Sequence, residues 1–345
     1  MENTPEFIET TVISTRIRLA RNFASYPFPR KMDGAQAEDI VYLVGDGLEK
    51  FDSVERFHRY DIAKLDKQSL RALQEEYLIS PALMKNSYGS AFVSEDRRVS
   101  IMVNEEDHLR EQYICKGFDL FKAYERISGI DDALAGMFDF AFDDKLGYLT
   151  ACPSNLGTGM RASVMMFLPG LEWSGELKKY LPVLKAGGLT VRGSFGEGTN
   201  AEGFVYQVSN ERTLGVSEQE ILRDVTRMTM TLCDLEIRAR ERMLETSETE
   251  IRDRCLRAYG TLTNCALLGM EEFLQKTADL KLGIALGFLE VKDRKKLDEF
   301  LDDMRPTLFR MNNGLTGESE EFCNMLRAET VSGALPKLVR VVRKK

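Results

Sequence analysis

The sequence feature that most constrains the fold is a change in the spacing of apolar residues near residue 215. Before it, several stretches alternate apolar and polar residues with a period of two, among them TVISTRIRLA and GFVYQVSN, which is typical of strands. Beyond it, apolar residues follow one another at alternating spacings of four and three from Ile221 to Leu235, which fits one face of a helix. We therefore predict a mixed domain of strands and helices over residues 1–240 and a largely helical domain over residues 241–345.

Local signals predict helix boundaries in the second half of the chain. Ser217 and Glu220 have the spacing of a capping box at a helix start, and Asp293 is expected to cap a later helix. Gly260 is expected to end a helix. The apolar stripe of the second domain favours core packing, with a homodimer contact through the C-terminal helices as the alternative.

Composition excludes several classes of protein. A formal net charge of -8 argues against a dedicated nucleic-acid binder. No apolar run approaches the roughly 20 residues of a membrane helix, and the acidic N-terminus does not look like a signal peptide, so we expect a cytoplasmic protein. The 6 cysteines form no C-x-x-C pair and the chain has only 2 histidines, so no metal site is predicted.

Arginines at alternate positions mark the first candidate site, STRIR at residues 14–18. Arg16 and Arg18 share one face of a strand, because side chains alternate with period two. Neighbouring guanidinium groups repel one another unless an anion lies between them. The motif therefore indicates a phosphate or carboxylate site, with a solvated strand face as the alternative.

An acidic cluster follows the strand-like VSIMV. The segment NEEDHLR, residues 104–110, contains Glu105, Glu106 and Asp107, and ends on Arg110. One interpretation is catalytic, with the carboxylates facing a cationic substrate. The alternative is structural: Asn104 would cap a helix whose first turn carries acids.

Two glycine-containing turns complete the set. CPSNLGTGMR, residues 152–161, places Cys152 before a turn and Arg161 after it, and a cysteine beside arginines favours a thiolate that could pair with a cationic substrate. VRGSFGEGT, residues 191–199, reads as a hairpin loop with Arg192 at its base and Glu197 near its tip. Plain turns are the alternative for both. The chain contains no Walker A sequence, so arginine forks are the candidate phosphate ligands.

Taken together, these motifs resemble those of the ATP:guanidino phosphotransferases, the family of arginine and creatine kinases. CPSNLGT resembles the family signature, and STRIR, NEEDHLR and RGSFGE resemble its other motifs, in the family's order. The resemblance covers essentially the whole chain, and RIRLARN, MRASVMM and SNERTLGVSEQEI are similar to the bacterial protein-arginine kinases within the family.

The resemblance implies a role for each matching residue. Glu106 would be the catalytic carboxylate, while Glu197 and Cys152 would contact the substrate guanidinium. ATP and Mg²⁺ are the implied cofactors, and no residue is implied as a metal ligand. The implied ATP-binding positions are Ser14, Thr15, Arg16, Ile17, Arg18, Tyr77, Arg110, Arg161, Ala162, Ser163, Val164, Met165, Arg192, Gly193, Ser194, Phe195, Gly196 and Glu197.

The resemblance also implies a fold and a substrate class. The expected fold is α+β, a mostly antiparallel sheet flanked by helices (the phosphagen-kinase, glutamine-synthetase-like type), with a helical C-terminal domain. Relatives that act on small guanidines have a helical domain before the STRIR motif, which here begins at residue 14. We therefore expect an open site that phosphorylates exposed arginines of protein substrates, in a bacterial stress response. An activating partner and the Clp degradation machinery are further implied partners.

The sequence departs from the family pattern in three respects. Tyr77 and Phe167 stand where related sequences have histidines. The protein-arginine kinases also contain a C-terminal Arg-Asp-x-x-Arg-Ala motif that binds phosphoarginine. The corresponding segment here, residues 323–328, keeps only Arg327 and Ala328, because Cys323 and Asn324 replace the first pair. We therefore predict that phosphoarginine does not stimulate this protein.

Two other functions remain open from the sequence. One is a kinase for free arginine or another small guanidine. The other is a non-catalytic adaptor that binds arginine or phosphoarginine on other proteins. The retained acids and arginines at each motif favour an enzyme.

Overall fold

A computed structural model describes residues 6–50, 56–193 and 202–343 of the chain. The strands are β1 (Val12–Arg21), β2 (Phe57–Asp61), β3 (Ser90–Ser94), β4 (Val99–Val103), β5 (Leu109–Lys116), β6 (Phe142–Asp143), β7 (Gly147–Tyr148), β8 (Met160–Phe167), β9 (Leu189–Gly193), β10 (Val205–Asn210), β11 (Leu289–Val291) and β12 (Val339–Val341).

The helices account for much of the remaining chain. They are α1 (Glu6–Thr11), α2 (Gly34–Glu49), α3 (Lys67–Glu75), α4 (Leu120–Ala135), α5 (Pro169–Trp173), α6 (Leu177–Ala186), α7 (Glu218–Asn264), α8 (Met270–Ala285), α9 (Arg294–Asp303), α10 (Pro306–Asn312) and α11 (Glu320–Leu338).

The main sheet has eight strands in the order β2-β3-β4-β5-β1-β8-β10-β9. The pairs from β2 across to β8 are antiparallel. β1 is therefore an interior strand, bonded to β5 on one side and to β8 on the other. Ile17 and Leu19 of β1 are buried on the face that α4 covers. An ion pair from Arg21 to Asp131, 2.6 Å long and itself buried, fixes α4 to the end of β1.

The chain divides into two compact units. The first comprises the described residues up to Met166 together with Tyr180–Val191 and Gln207–Leu232. The second comprises Phe167–Lys179, the chain from Cys233 onward and the described part of Arg192–Tyr206. The α+β prediction of an antiparallel sheet with helices and a helical C-terminal region is confirmed. The boundary at residue 240 stays a prediction.

The second unit has its own core. Leu262, Phe273, Phe309 and Val331, from α7, α8, α10 and α11, belong to one buried cluster. Among the residues described, no helix is both long and apolar enough to cross a membrane.

Two of the predicted helix boundaries are confirmed and one is wrong. Ser217 and Glu220 cap the start of α7 reciprocally, and the Asp293 carboxylate accepts the Lys296 N–H at 3.1 Å at the start of α9. Gly260 ends no helix, since α7 continues to Asn264. A glycine inside a helix costs only about 1 kcal/mol, which the packing of that last turn offsets.

Candidate functional site

Four of the predicted arginines share one face of the main sheet. Arg18 lies directly opposite Arg161 of β8, and Ala20 lies opposite Arg110 of β5. Directly opposed residues of antiparallel strands point to the same side, as do residues two apart on one strand. Arg16, Arg18, Arg110 and Arg161 therefore lie on the same side of β5, β1 and β8. We call this set the arginine face.

The arginine face carries more positive charge than its own surroundings neutralise. Burial, followed by the charge of Arg110, lowers the pKa of Arg16 from 12.5 to about 10. Burial and the neighbouring Arg16 also lower the pKa of Arg18. Within the described residues, the buried Nε of Arg18 has no hydrogen-bond partner. An anion with several oxygens would relieve both the repulsion and the lost hydrogen bond.

Neutral side chains on β10 hold two of these arginines in place. Arg16 donates from Nη2 to Oε1 of Gln207 at 2.9 Å, and Arg161 donates from Nη2 to Oγ of Ser209 at 3.0 Å. A neutral acceptor orients a guanidinium group without cancelling its charge, so the arginines remain available to an anion.

Arg110 differs from the others because a carboxylate faces it. Its Nη1 lies 2.7 Å from each oxygen of Glu105, and Ser80 donates its hydroxyl to the same carboxylate at 2.5 Å. This ion pair, with the hydrogen bonds, keeps the pKa of Glu105 below its usual range although burial opposes that shift. The charge of Glu105 raises the pKa of Arg18, against the larger effects of burial and the neighbouring arginines. It therefore balances part of the charge of the arginine face.

The other residues of the two predicted ATP-binding strand segments divide between the sheet faces. Because the register pairs Ser14 with Met165 and Arg16 with Ser163, those side chains lie on the side of the arginine face. The alternate positions point to the opposite side, where Thr15 donates its hydroxyl to the Gly117 carbonyl at 2.8 Å. These buried positions, which support the sheet, are Thr15, Ile17, Ala162 and Val164.

The acidic segment forms a turn between β4 and β5. The N–H of Asn104 donates to the carbonyl of His108 at 2.9 Å, and Asn104 has φ of 60°, in the left-handed region. Strand β5 begins directly after this turn, so the alternative of a helix cap at Asn104 is wrong. Glu106 is half-buried at the turn, while Asp107 is buried with 3% of its surface exposed.

Cys152 begins the second turn, as predicted. Its Sγ lies 3.0 Å from Oγ of Ser154, in the short 3₁₀ helix Pro153–Asn155. Gly157 has φ of 110°, and a Cβ there would lie 2.3 Å from the carbonyl oxygen of Thr213. Only glycine fits this position, so the glycine fixes the turn that carries the thiol.

Tyr77 lies beside the arginine face in an uncommon backbone conformation. It follows α3 with φ of 62°, and the next residue, Leu78, donates its N–H to the carbonyl of Leu73 at 2.9 Å. Glycine is usual at this position of a helix end. Gln112, which lies opposite Arg18 on β5, donates to the Tyr77 carbonyl at 2.6 Å. The tyrosine is therefore tied to the strand next to the arginines, with 48% of its surface exposed.

The glycine-rich loop is described only at its first residues. Arg192 is exposed and Gly193 is buried at the end of β9. Both belong to the second unit, whereas the four arginines of the arginine face belong to the first. Ser194, Phe195, Gly196 and Glu197 lie outside the described residues.

Several contributors escaped the sequence analysis. Gln112, Gln207 and Ser209 all contact residues of the arginine face or its border, and Glu105, which the sequence analysis named only as a member of the acidic cluster, pairs with Arg110. The alternation of QVSN, in which Gln207 and Ser209 share a side, was the available signal.

In the part of the chain that the structure describes, no group of three or more His, Cys, Asp or Glu is placed to hold a metal.

Two family models match consecutive parts of the chain. Residues 39–239 match the ATP:guanido phosphotransferase C-terminal catalytic domain, and residues 248–343 match the protein-arginine kinase McsB C-terminal domain. A protein-arginine kinase of Caldanaerobacter subterraneus subsp. tengcongensis is 39% identical over 96% of this chain and 99% of its own length. One from Bacillus velezensis is 39% identical over 88% of this chain and 84% of its own.

Solved structures share the fold. The crystal structure of lombricine kinase has a TM-score of 0.59 and 26% identity, over 69% of this chain and 68% of that one. The duplicated taurocyamine kinase of Schistosoma mansoni, with bound transition state analog components, has a TM-score of 0.61. At 23% identity, over 77% of this chain and 39% of that one, it shows similarity of fold alone.

Proposed function

This chain belongs to the ATP:guanido phosphotransferase family, and on that premise we propose that it phosphorylates arginine side chains of proteins with ATP. The arginine face is the observation that supports phosphoryl transfer as the reaction. The substrate class is supported by the protein-arginine kinases that it resembles along most of its length, including the match of residues 248–343 to their C-terminal domain.

The arginine face would hold the phosphates of the MgATP substrate. Phosphoryl transfer depends mainly on positioning and on neutralising phosphate charge. Arg16 and Arg161 each donate to a neutral side chain, and the Nε of Arg18 has no hydrogen-bond partner among the described residues, so these guanidinium groups suit phosphate oxygens. We assign Mg²⁺ to the nucleotide, because magnesium in kinases is held largely by substrate phosphates.

Glu106 would align the substrate guanidinium group. A new N–P bond forms as the bond between the γ-phosphorus and the bridging oxygen breaks, so ADP leaves with that electron pair. The displaced guanidinium proton passes to the Glu106 carboxylate. Removing this proton beforehand at pH 7 would take about 7.5 kcal/mol, since the pKa of arginine is about 12.5. Glu106 would therefore align the guanidinium group and accept its proton only as the N–P bond forms. Of these two roles, alignment would contribute more to the rate.

Two further groups complete the proposed substrate site. Cys152, half-buried at its turn, would lie beside the guanidinium group. Glu197 would contact the substrate from the glycine-rich loop, and this assignment rests on the family motif. Tyr77 would border the nucleotide, which its carbonyl contact with Gln112 beside the arginine face supports.

A kinase for a small guanidine is the second candidate, favoured by the similarity to lombricine kinase. The assay that separates the candidates incubates the protein with MgATP and either free arginine or an unfolded protein. Acid-labile phosphate is then measured in each mixture. We expect far more phosphate on the protein substrate. Comparable or faster transfer to free arginine contradicts the proposal, and binding of phosphoarginine peptides without any transfer supports an adaptor.

Substitution of the proposed catalytic carboxylate tests the mechanism. Glu106→Gln keeps the shape and removes the charge that orients the guanidinium group, so transfer should fall to near background with an unchanged unfolding midpoint. Glu9→Gln, in α1, is a control for loss of one carboxylate elsewhere. Wild-type turnover in Glu106→Gln would remove Glu106 from the mechanism.

The cellular setting is a further part of the proposal. We place the activity in the bacterial cytoplasm, within a stress response that involves an activating partner and the Clp degradation machinery, on the basis of the family resemblance. A homodimer through the C-terminal helices is supported by Phe322 and Met325, which are 45% and 51% exposed on α11.

A further inference from the structure

A buried pair of polar side chains connects the turn of Glu106 to the segment that leads to Cys152. Asn22, at the end of β1, is 1% exposed, and Asp107 is 3% exposed. Asn22 donates from Nδ2 to Oδ1 of Asp107 at 2.7 Å. The same Oδ1 accepts the backbone N–H of Ala151, also at 2.7 Å. One carboxylate oxygen therefore joins three separate segments of the chain.

Asn22 adds further bonds to the same segments. Its Nδ2 also donates to the Leu149 carbonyl at 3.0 Å, and its Oδ1 accepts the N–H of His108 at 2.9 Å. Its own backbone carbonyl accepts the N–H of Ala141 at 2.7 Å. The bonds of Asn22 and Asp107 thus fix the two residues that follow Glu106. They also fix Leu149 and Ala151, which shortly precede Cys152. We call Asn22 and Asp107 the polar bracket.

The position of the polar bracket in the chain indicates a role in the site as well as in stability. Asp107 is the direct neighbour of Glu106, and Ala151 is the direct neighbour of Cys152. Neighbouring Cα atoms are about 3.8 Å apart, so the bond from Ala151 to Asp107 limits how far the carboxylate and the thiol can separate. Buried hydrogen bonds of this kind hold functional groups in place because water cannot replace them.

We propose that Asn22 and Asp107 are positioning residues for phosphoryl transfer, which set the placement of Glu106 relative to Cys152. This inference rests on the proposed roles of those two residues. Asp107 acts here through the acceptor oxygen that it presents to Ala151 and Asn22, and its negative charge is not required. Because an asparagine presents the same oxygen, Asp107→Asn preserves the bracket whereas Asp107→Ala removes it.

The experiment compares these two variants, together with Asn22→Ala, in the full-length chain. A displacement of about 1 Å at reacting groups lowers the rate about 100-fold, so we expect a kcat loss of that order in Asp107→Ala. The KM for MgATP should stay near the wild-type value, since the arginine face is untouched. Asp107→Asn should retain most of the activity.

A second readout does not depend on catalysis. The rate at which iodoacetamide alkylates Cys152, followed on the peptide that contains it, should rise in Asp107→Ala and Asn22→Ala and stay unchanged in Asp107→Asn. Asn324→Ala is the matched control, because it removes an amide that Arg327 donates to in the second unit at 2.8 Å. It should alter stability without altering alkylation of Cys152.

Each result bears on the proposal. Asp107→Asn as inactive as Asp107→Ala, with wild-type alkylation in both, would show that the charge matters and the bracket does not. Wild-type kcat in Asp107→Ala would also overturn the inference. If Asp107→Ala does not fold, Asn22→Ala provides the same comparison with Asp107→Asn. A wild-type protein without transfer activity would refute the proposed function, whereas the alkylation rates would still test the bracket.

Discussion

Replacing Arg16 by glutamine should make the ligand-free protein more stable and weaken its binding of MgATP. Arg16 lies on the arginine face, where burial and the charge of Arg110 oppose its own charge. Glutamine is shorter, polar and neutral, so it relieves the repulsion but cannot bind a phosphate as an ion. Stability and ligand affinity should therefore change in opposite directions.

The pKa of Arg16 gives the magnitude. Its fall from the usual arginine value to about 10 corresponds to an electrostatic cost of roughly 3 kcal/mol, at about 1.36 kcal/mol per pKa unit. Partial exposure screens this cost. The substitution also removes the bond to Gln207, worth about 1.5–3 kcal/mol for a charged donor. The net gain in unfolding free energy should be about 1 kcal/mol, or about 2–4 °C in Tm.

Thermal unfolding with and without MgATP measures both effects. Loss of one charge-assisted contact should weaken MgATP binding by about tenfold to a hundredfold, so the nucleotide should raise the Tm of Arg16→Gln much less than that of the wild type. Arg227→Gln, at an exposed ion pair on α7, is the control and should change neither quantity appreciably. A less stable variant with undiminished MgATP stabilisation would refute the reasoning.

Two other predictions concern pH and regulation. Burial lowers the pKa of His108 to about 4, and since the unfolded value is about 6.5, stability should be lost as pH falls from 6.5 to 4, by roughly 3 kcal/mol in total. In urea unfolding, the free energy of unfolding should fall less between pH 6.5 and pH 4 in His108→Gln than in the wild type. The control His58→Gln, at an exposed site, should lose as much as the wild type. Phosphoarginine should not stimulate transfer, and Arg327→Ala should lower Tm because Arg327 is 1% exposed and donates to the Leu268 carbonyl at 2.8 Å. Saturable activation by phosphoarginine that Arg327→Ala abolishes would contradict this prediction.

The period-two pattern of the sequence predicted one part of the arginine face, namely the two arginines of β1. Arg16 and Arg18 share a face because a regular strand alternates, and β1 is regular over that stretch. Their proximity to Arg110 and Arg161 depends on which strands flank β1. That order is a long-range property of the sheet, which periodicity cannot supply; the family resemblance implied only that these arginines bind ATP together.

The polar contacts of the site were beyond local sequence rules. Glu105 reaches Arg110 because Asn104 adopts a left-handed conformation, which turns the chain back into β5. Asn22 and Asp107 are 85 positions apart. No spacing rule connects residues at that separation, and asparagine and aspartate are both common in turns for local reasons.

The interior position of β1 has a consequence for the kinetics of the site. Its backbone groups are bonded to β5 on one side and β8 on the other, so exchange of its amide hydrogens should require opening of the sheet itself. A mobile loop can open locally at a low free energy while the rest of the protein stays folded. Here β1, which carries the arginines that we propose bind phosphate, should open only together with the sheet, so MgATP affinity should not be reduced by molecules in which the strand is open.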